Sequence, residues 1–128
     1  MSLRSPLSRV LGLGAAKEGP GHWWAQRVSA VALVLLGPWF AVSLATLPDF
    51  AYPTVVAWVA APFNTIALLL LIATLAYHAR LGVQVVIEDY VSAAAAKVVL
   101  LMLSTFVFYI AAAAGMFAVL RVSFGVAP

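Results

Sequence analysis

The side chains best suited to chemistry are concentrated in one stretch, TLAYHARLGVQVVIEDYVS, from Thr74 to Ser92. Within it, His78 is followed eleven residues later by Asp89 and then by Tyr90. A neutral imidazole beside a cleared helix face is what an axial haem ligand needs. Carboxylates and a phenol at a helix end can protonate and hydrogen-bond a small redox ligand. One face of a single helix would carry the residues Thr74, His78, Gly82, Val85 and Asp89.

His78, Gly82, Tyr90 and the two carboxylates also have purely structural explanations, which for the carboxylates is a solvated helix end. A lone histidine near a membrane is equally well explained as a neutral imidazole that is hydrogen-bonded to a neighbouring helix. Gly82 suits close helix packing as well as a bulky ligand, and Tyr90 suits the aromatic belt at a membrane surface. Glu88 and Asp89 oppose the helix dipole at a C-terminus, and this unfavourable position favours a functional role.

Two arginines accompany this stretch. Arg27, in GHWWAQRVSAVAL, is either a positive-inside anchor at the cytoplasmic face of a membrane or a contact for the carboxylate of a buried cofactor, which guanidinium binds bidentately. Arg80 points about 200° away from His78 around the helix, so we expect it to extend towards lipid headgroups.

The lack of cysteine limits the metal chemistry. Without cysteine, disulfides, thiolate metal sites and Cys-bound haem or iron–sulfur clusters are excluded within this chain. The other histidine, His22, precedes the first apolar segment. A six-coordinate iron at His78 would therefore take its second ligand from another chain.

The composition is that of a membrane protein. Of 128 residues, 66% are hydrophobic and 9% are charged, and the mean hydropathy is +1.11, whereas about a quarter of the residues in a soluble domain are charged. The net charge is +3, but the basic residues are scattered singly, which argues against a nucleic-acid binder.

The apolar segments predict an all-α membrane protein with three transmembrane helices, because each crossing needs ~20 residues. We expect a cytoplasmic arm over residues 1–21 and a transmembrane domain over residues 22–128. A short interfacial segment with Tyr52 and Trp58 should precede the second helix. Small residues in AAAAG of the third span predict a packing face. The helices are predicted at about 27–48, 61–87 and 97–121.

Basic residues indicate the orientation. Six of the seven lysines and arginines lie at one side of the predicted spans, and only Arg121 lies at the other. Because short loops rich in lysine and arginine stay in the cytoplasm, we expect a cytoplasmic N-terminus and a periplasmic C-terminus.

Two segments resemble a known family. RVSA opens the first span and HARLGVQVVIEDYV closes the second. They are similar to the smaller hydrophobic membrane-anchor subunits, the D-type subunits, of succinate dehydrogenase (respiratory complex II). The resemblance covers nearly the whole chain in length, span number and orientation. GHWW, which includes His22, resembles alphaproteobacterial members and differs from the enterobacterial pattern.

The resemblance implies a shared redox centre in a bacterial inner membrane. A second anchor subunit, of the cytochrome b556 type, would pair with this chain. The two would hold an iron–sulfur subunit and a flavoprotein subunit, which carry the clusters and FAD. His78 would be an axial ligand of haem b, with Gly82 making room and Arg27 facing a propionate. Tyr90 would hydrogen-bond ubiquinone, and Asp89 would assist proton delivery. The chain alone is not expected to be catalytic.

Two other functions are compatible with the polar residues. One is a small proton-coupled transporter subunit in which His78, Glu88 and Asp89 relay protons, although the chain shows no inverted repeat and its polar residues crowd one end. The other is a structural anchor that docks soluble partners without haem or quinone.

Overall fold

The computed structural model describes residues 19–125, which form four helices. Residues 1–18 of the predicted N-terminal arm therefore lie outside the described residues. In chain order the helices are α1 (Gly19–Ala45), α2 (Tyr52–Ala60), α3 (Pro62–Tyr90) and α4 (Ala94–Ser123).

The helices α1, α3 and α4 are each long and apolar enough to cross a membrane. This confirms the predicted all-helical class with three candidate spans. The 29 residues of α3 extend for about 43 Å at 1.5 Å per residue, more than the ~30 Å of a hydrocarbon core. Its end turns therefore reach beyond the apolar layer.

The helix bounds differ from the expected ones because a helix need not end where the hydrocarbon ends. The first helix is described from Gly19 and therefore starts well before residue 27. The second long helix continues to Tyr90, so Glu88 and Asp89 lie within its last turn.

The C-terminus of α3 is stabilised from α4. Lys97 Nζ donates a hydrogen bond to the backbone oxygen of Glu88 at 2.8 Å. A lysine at this position satisfies a terminal carbonyl and places positive charge at the negative end of the helix dipole. The lysine thus offsets part of the cost that adjacent carboxylates impose there.

The predicted interfacial segment contains a short helix, α2, which packs against α3 and α4. Its Trp58 stacks on Trp39 of α1, with ring centroids 6.2 Å apart. At the same corner the Thr65 hydroxyl lies 2.7 Å from the Val59 oxygen and 3.1 Å from Ser123 Oγ. These contacts join α1, α2, α3 and α4 at one end of the molecule.

The loop between α1 and α2 is held by Asp49. Its Oδ1 accepts a hydrogen bond from the Ala51 N–H at 3.0 Å. Hydrogen bonds from the Thr54 side chain and the Ala51 backbone lower the pKa of Asp49 below its usual 3.8, because they favour the ionised form.

The central helix of the molecule is α3, which packs on α1 and on α4. Within residues 19–125, no Cα atom of α1 comes within 8 Å of one in α4. The predicted small-residue face of α4 is confirmed, because Ala112 is buried and a Cβ at Gly115 would lie 3.3 Å from Ile72 Cγ2. Close contact with α4 and a looser contact with α1 leave space beside α3 on the α1 side.

Candidate functional site

His78 lies at the contact between α3 and α1. Its Nδ1 is 3.0 Å from Oγ of Ser29, a residue of α1 that is only 5% exposed. The imidazole Nε2 makes no hydrogen bond to any residue in the described part of the chain. The hydrogen bond to a neighbouring helix therefore accounts for Nδ1, and Nε2 remains available to bind a ligand.

Gly82 also faces α1, one turn further along α3. A Cβ at this position would have one neighbour within 4 Å, Gln26 Nε2 at 3.9 Å. Gly82 and Val85 line a cavity of about 610 Å³ between the start of α1 and the end of α3. This volume lies within the range of ~300–1,000 Å³ that is typical of ligand sites. His78 does not line this cavity.

The opposite wall of the cavity is polar. His22 and Gln26 line it from α1, and His22 Nε2 and Gln26 Oε1 are both buried without a hydrogen-bond partner among the described residues. A buried polar atom left unpaired costs about 1–3 kcal/mol. The cavity therefore suits an occupant with polar atoms at its edge, whether water, a ligand or a neighbouring chain.

Sequence reasoning did not find this polar row. His22, Gln26 and Ser29 lie at steps of four and three residues, which is one helix face. The periodicity was present in the sequence, but it is visible only if the helix begins near Pro20 and not at Arg27.

The two arginines lie away from this cavity. The Arg27 guanidinium is exposed and lies 5.5 Å from the centre of a Trp23 ring. Arg80 faces α4, away from His78 as expected, and its guanidinium lies 5.9 Å from the rings of Tyr77 and Tyr109.

The predicted quinone-binding residues lie at the exposed end of α3. Tyr90 is 85% exposed, and Asp89 is also exposed. Glu88 Oε1 accepts a hydrogen bond from Gln84 Nε2 at 2.8 Å. Twelve residues of helix place Tyr90 about 18 Å from His78 along the axis, so the two predicted sites are separate.

The described residues offer an iron ion few ligands. Within residues 19–125, no three His, Asp or Glu side chains are grouped so that they could hold a metal ion. A haem iron needs only one or two axial ligands from protein, and His78 has one uncommitted nitrogen.

Comparison with known proteins places the chain in a family. Residues 1–113 match the family described as Succinate dehydrogenase/Fumarate reductase transmembrane subunit. The succinate dehydrogenase hydrophobic membrane anchor subunit of Rickettsia bellii (strain RML369-C) is 37% identical over 89 residues, which cover 70% of this chain and 71% of that protein.

Two further relatives carry the same name. The protein of Rickettsia conorii is 40% identical over 80 residues, 62% of this chain and 64% of that protein. That of Paracoccus denitrificans is 31% identical over 121 residues, 94% of this chain and 93% of that protein. Both genera are alphaproteobacterial, so the predicted resemblance is confirmed. The chain belongs to the family of succinate dehydrogenase and fumarate reductase transmembrane subunits.

Proposed function

We propose that this multi-pass membrane-anchor subunit helps bind haem b and forms part of the ubiquinone-reduction site of a bacterial succinate dehydrogenase. Succinate oxidation would take place in the partner flavoprotein, and electrons would arrive through the iron–sulfur subunit. This chain supplies position and protons, because the redox chemistry belongs to the cofactors. The orientation with a cytoplasmic N-terminus in an inner membrane is part of the proposal.

The observation that carries the haem proposal is the state of His78. One of its ring nitrogens is held by Ser29 and the other has no partner among the described residues. Metal-ligating histidines bind the metal through one nitrogen and hydrogen-bond through the other. When bound, the haem supplies a centre that accepts and returns one electron.

The residues near His78 leave room for a bulky group such as haem. Gly82 leaves the helix face open beside the cavity. His22 and Gln26 offer unpaired polar atoms on the opposite wall. Arg27, which is exposed at the same end, would pair with a propionate, and the second axial ligand would come from the partner anchor subunit.

The quinone site would be completed by other subunits, since Tyr90 and Asp89 are exposed in this chain. The Tyr90 phenol can donate a hydrogen bond to a quinone carbonyl oxygen. Asp89, which is open to water at the helix end, can take up a proton and pass it to the reduced quinone.

Replacing His78 tests the proposal. The purified wild-type complex should show a b-type haem spectrum, and His78→Ala should lose or alter it. Thr74→Ala, one turn away on the same face, is the matched control and should keep the spectrum. Succinate oxidation with an artificial dye should persist in both variants because it takes place in the partner subunits. An unchanged haem spectrum in His78→Ala would refute the ligand assignment.

A structural anchor without haem is the competing function, and the His78–Ser29 hydrogen bond also fits it. The colour of the purified complex separates the two, because a purely structural anchor gives no b-type absorption that depends on His78.

A further inference from the structure

We propose that Ser29 is a positioning residue for the haem ligand: it holds His78 with a proton on Nδ1 and so presents the Nε2 lone pair to the iron. This inference rests on the proposed ligand role of His78. It assigns a function to a hydroxyl group on a different helix.

The direction of the hydrogen bond follows from the neighbours of Ser29 Oγ. The hydroxyl lies 2.7 Å from the backbone oxygen of Ala25 and 3.1 Å from that of Gln26. Both of these atoms are acceptors only, and a serine has a single proton to donate. A 2.7 Å contact between two oxygens requires that proton between them, so Ser29 donates to its own helix.

His78 Nδ1 must then be the donor to Ser29. It lies 3.0 Å from Oγ, whose proton is already committed and whose lone pairs accept. A neutral imidazole carries one proton, so placing it on Nδ1 leaves Nε2 as the lone-pair atom. The tautomer of a histidine is determined in this way by the bond that its other nitrogen makes.

Ser29 Oγ is well placed to orient the His78 imidazole ring. Ser29 is buried, and the bond to the Ala25 oxygen limits the rotation of its hydroxyl. Within the described residues, His78 has no other hydrogen-bond partner that could take over this role. An accepted Nδ1–H bond also makes the ligand more basic, which favours ferric over ferrous iron.

The test compares haem properties in the intact complex. Ser29→Ala should raise the haem midpoint potential, with a change of about tenfold in the ferric-to-ferrous equilibrium, or ~59 mV for one electron. The same variant should also lose haem to an external acceptor about 10-fold faster, given the usual effect of such partners on metal affinity. The EPR spectrum of the ferric haem should change as the imidazole ring is released.

Two variants separate the hydrogen bond from packing. Ser29→Thr retains the hydroxyl and should keep the wild-type potential and haem retention. Ser104→Ala removes a serine hydroxyl whose bond, at 3.1 Å to the Leu101 oxygen, lies within its own helix, and it should also behave like the wild type. If Ser29→Thr shifts the potential as much as Ser29→Ala, the effect is one of packing and the inference is overturned.

The remaining outcomes also decide the question. Equal potential and haem retention in Ser29→Ala and Ser104→Ala would overturn the inference while leaving His78 as the ligand. If Ser29→Ala does not assemble, Ser29→Cys, whose sulfur is a weak acceptor, should raise the potential, and a wild-type value would overturn the inference. A haem spectrum that is unchanged in His78→Ala would instead refute the proposed function.

Discussion

Gly82 and Tyr90 illustrate how differently two residues of one helix can be placed. Gly82 faces α1 across a cavity, with a single side-chain atom within 4 Å of the position that a Cβ would occupy. Tyr90 lies at the end of the same helix with most of its surface open. The first position limits what can fit between α1 and α3, whereas the second is open to contacts from outside the chain.

Gly82 should tolerate a methyl group but not a large side chain. Gly82→Ala meets only Gln26 Nε2 at 3.9 Å and gains about 1 kcal/mol of helix propensity, so assembly should be retained. Gly82→Leu would project into the cavity and should lower the haem content of the purified complex several-fold. Gly37→Leu, at a helix position with nothing within 4 Å of an added Cβ, is the control. Full haem occupancy in Gly82→Leu would contradict the proposed location.

Removing the Tyr90 hydroxyl should separate two activities of the complex. Tyr90→Phe should lower quinone reduction by up to about tenfold, the contribution of one hydrogen bond. Dye-coupled succinate oxidation should be unaffected. Tyr52→Phe makes the same chemical change at another exposed tyrosine, near the opposite end of α3, and should alter neither rate. Equal losses of both activities in Tyr90→Phe would count against the quinone role.

At the level of the helices, α3 has two unlike neighbours. It approaches α4 closely at Gly115 and Ala112, as small residues allow in membranes. It meets α1 through the hydrogen bond between His78 and Ser29 and across a cavity. The closely packed α3–α4 pair therefore leaves a more open face towards α1, and His78 and Gly82 lie on that open face.

The α3–α4 contact should be sensitive to a single methyl group. Gly115→Ala places a Cβ 3.3 Å from Ile72 Cγ2, and overpacking of this kind costs about 1–3 kcal/mol. Ile72→Ala removes the opposing atoms, so the double variant should be more stable than the sum of the two single effects predicts. Thermal unfolding of the detergent-solubilised complex measures this coupling. Gly37→Ala serves as the control, and strict additivity would show that the helices adjust freely.

Considered as a whole, the molecule has little core of its own. Five hydrophobic residues are buried among those that the structure describes, whereas long apolar side chains such as Leu35 (69% exposed) and Ile110 (67% exposed) lie open. The hydrophobic effect cannot hold such a chain together in water, so its surface needs an apolar covering such as lipid. This fits membership of a family of membrane-embedded subunits.

The orientation of the whole chain can be measured with reporters. Alkaline phosphatase fused after Pro128 should be active, because the C-terminus is predicted to be periplasmic. The same enzyme inserted between α3 and α4, next to Lys97, should be inactive. The reverse pattern would show that the six basic residues on one side do not determine the orientation of this protein in the membrane.

The sequence by itself determined the all-helical class, the three spans and the family, because these depend on composition, on the length of apolar runs and on local motifs. It also identified the face of α3 that carries His78 and Gly82, since helical periodicity is a local property. The polar row of His22, Gln26 and Ser29 was not identified, because its first two members precede Arg27, the expected start of a helix that already includes Gly19.

Only the tertiary structure decided which side chains meet across helices. That Ser29 contacts His78, that Gly82 faces Gln26 and that Gly115 touches Ile72 depend on the rotation of each helix about its axis and on the distance between axes. The packing of all the helices together sets both quantities. A shift of one residue turns a helix face by about 100°, so no local pattern specifies them.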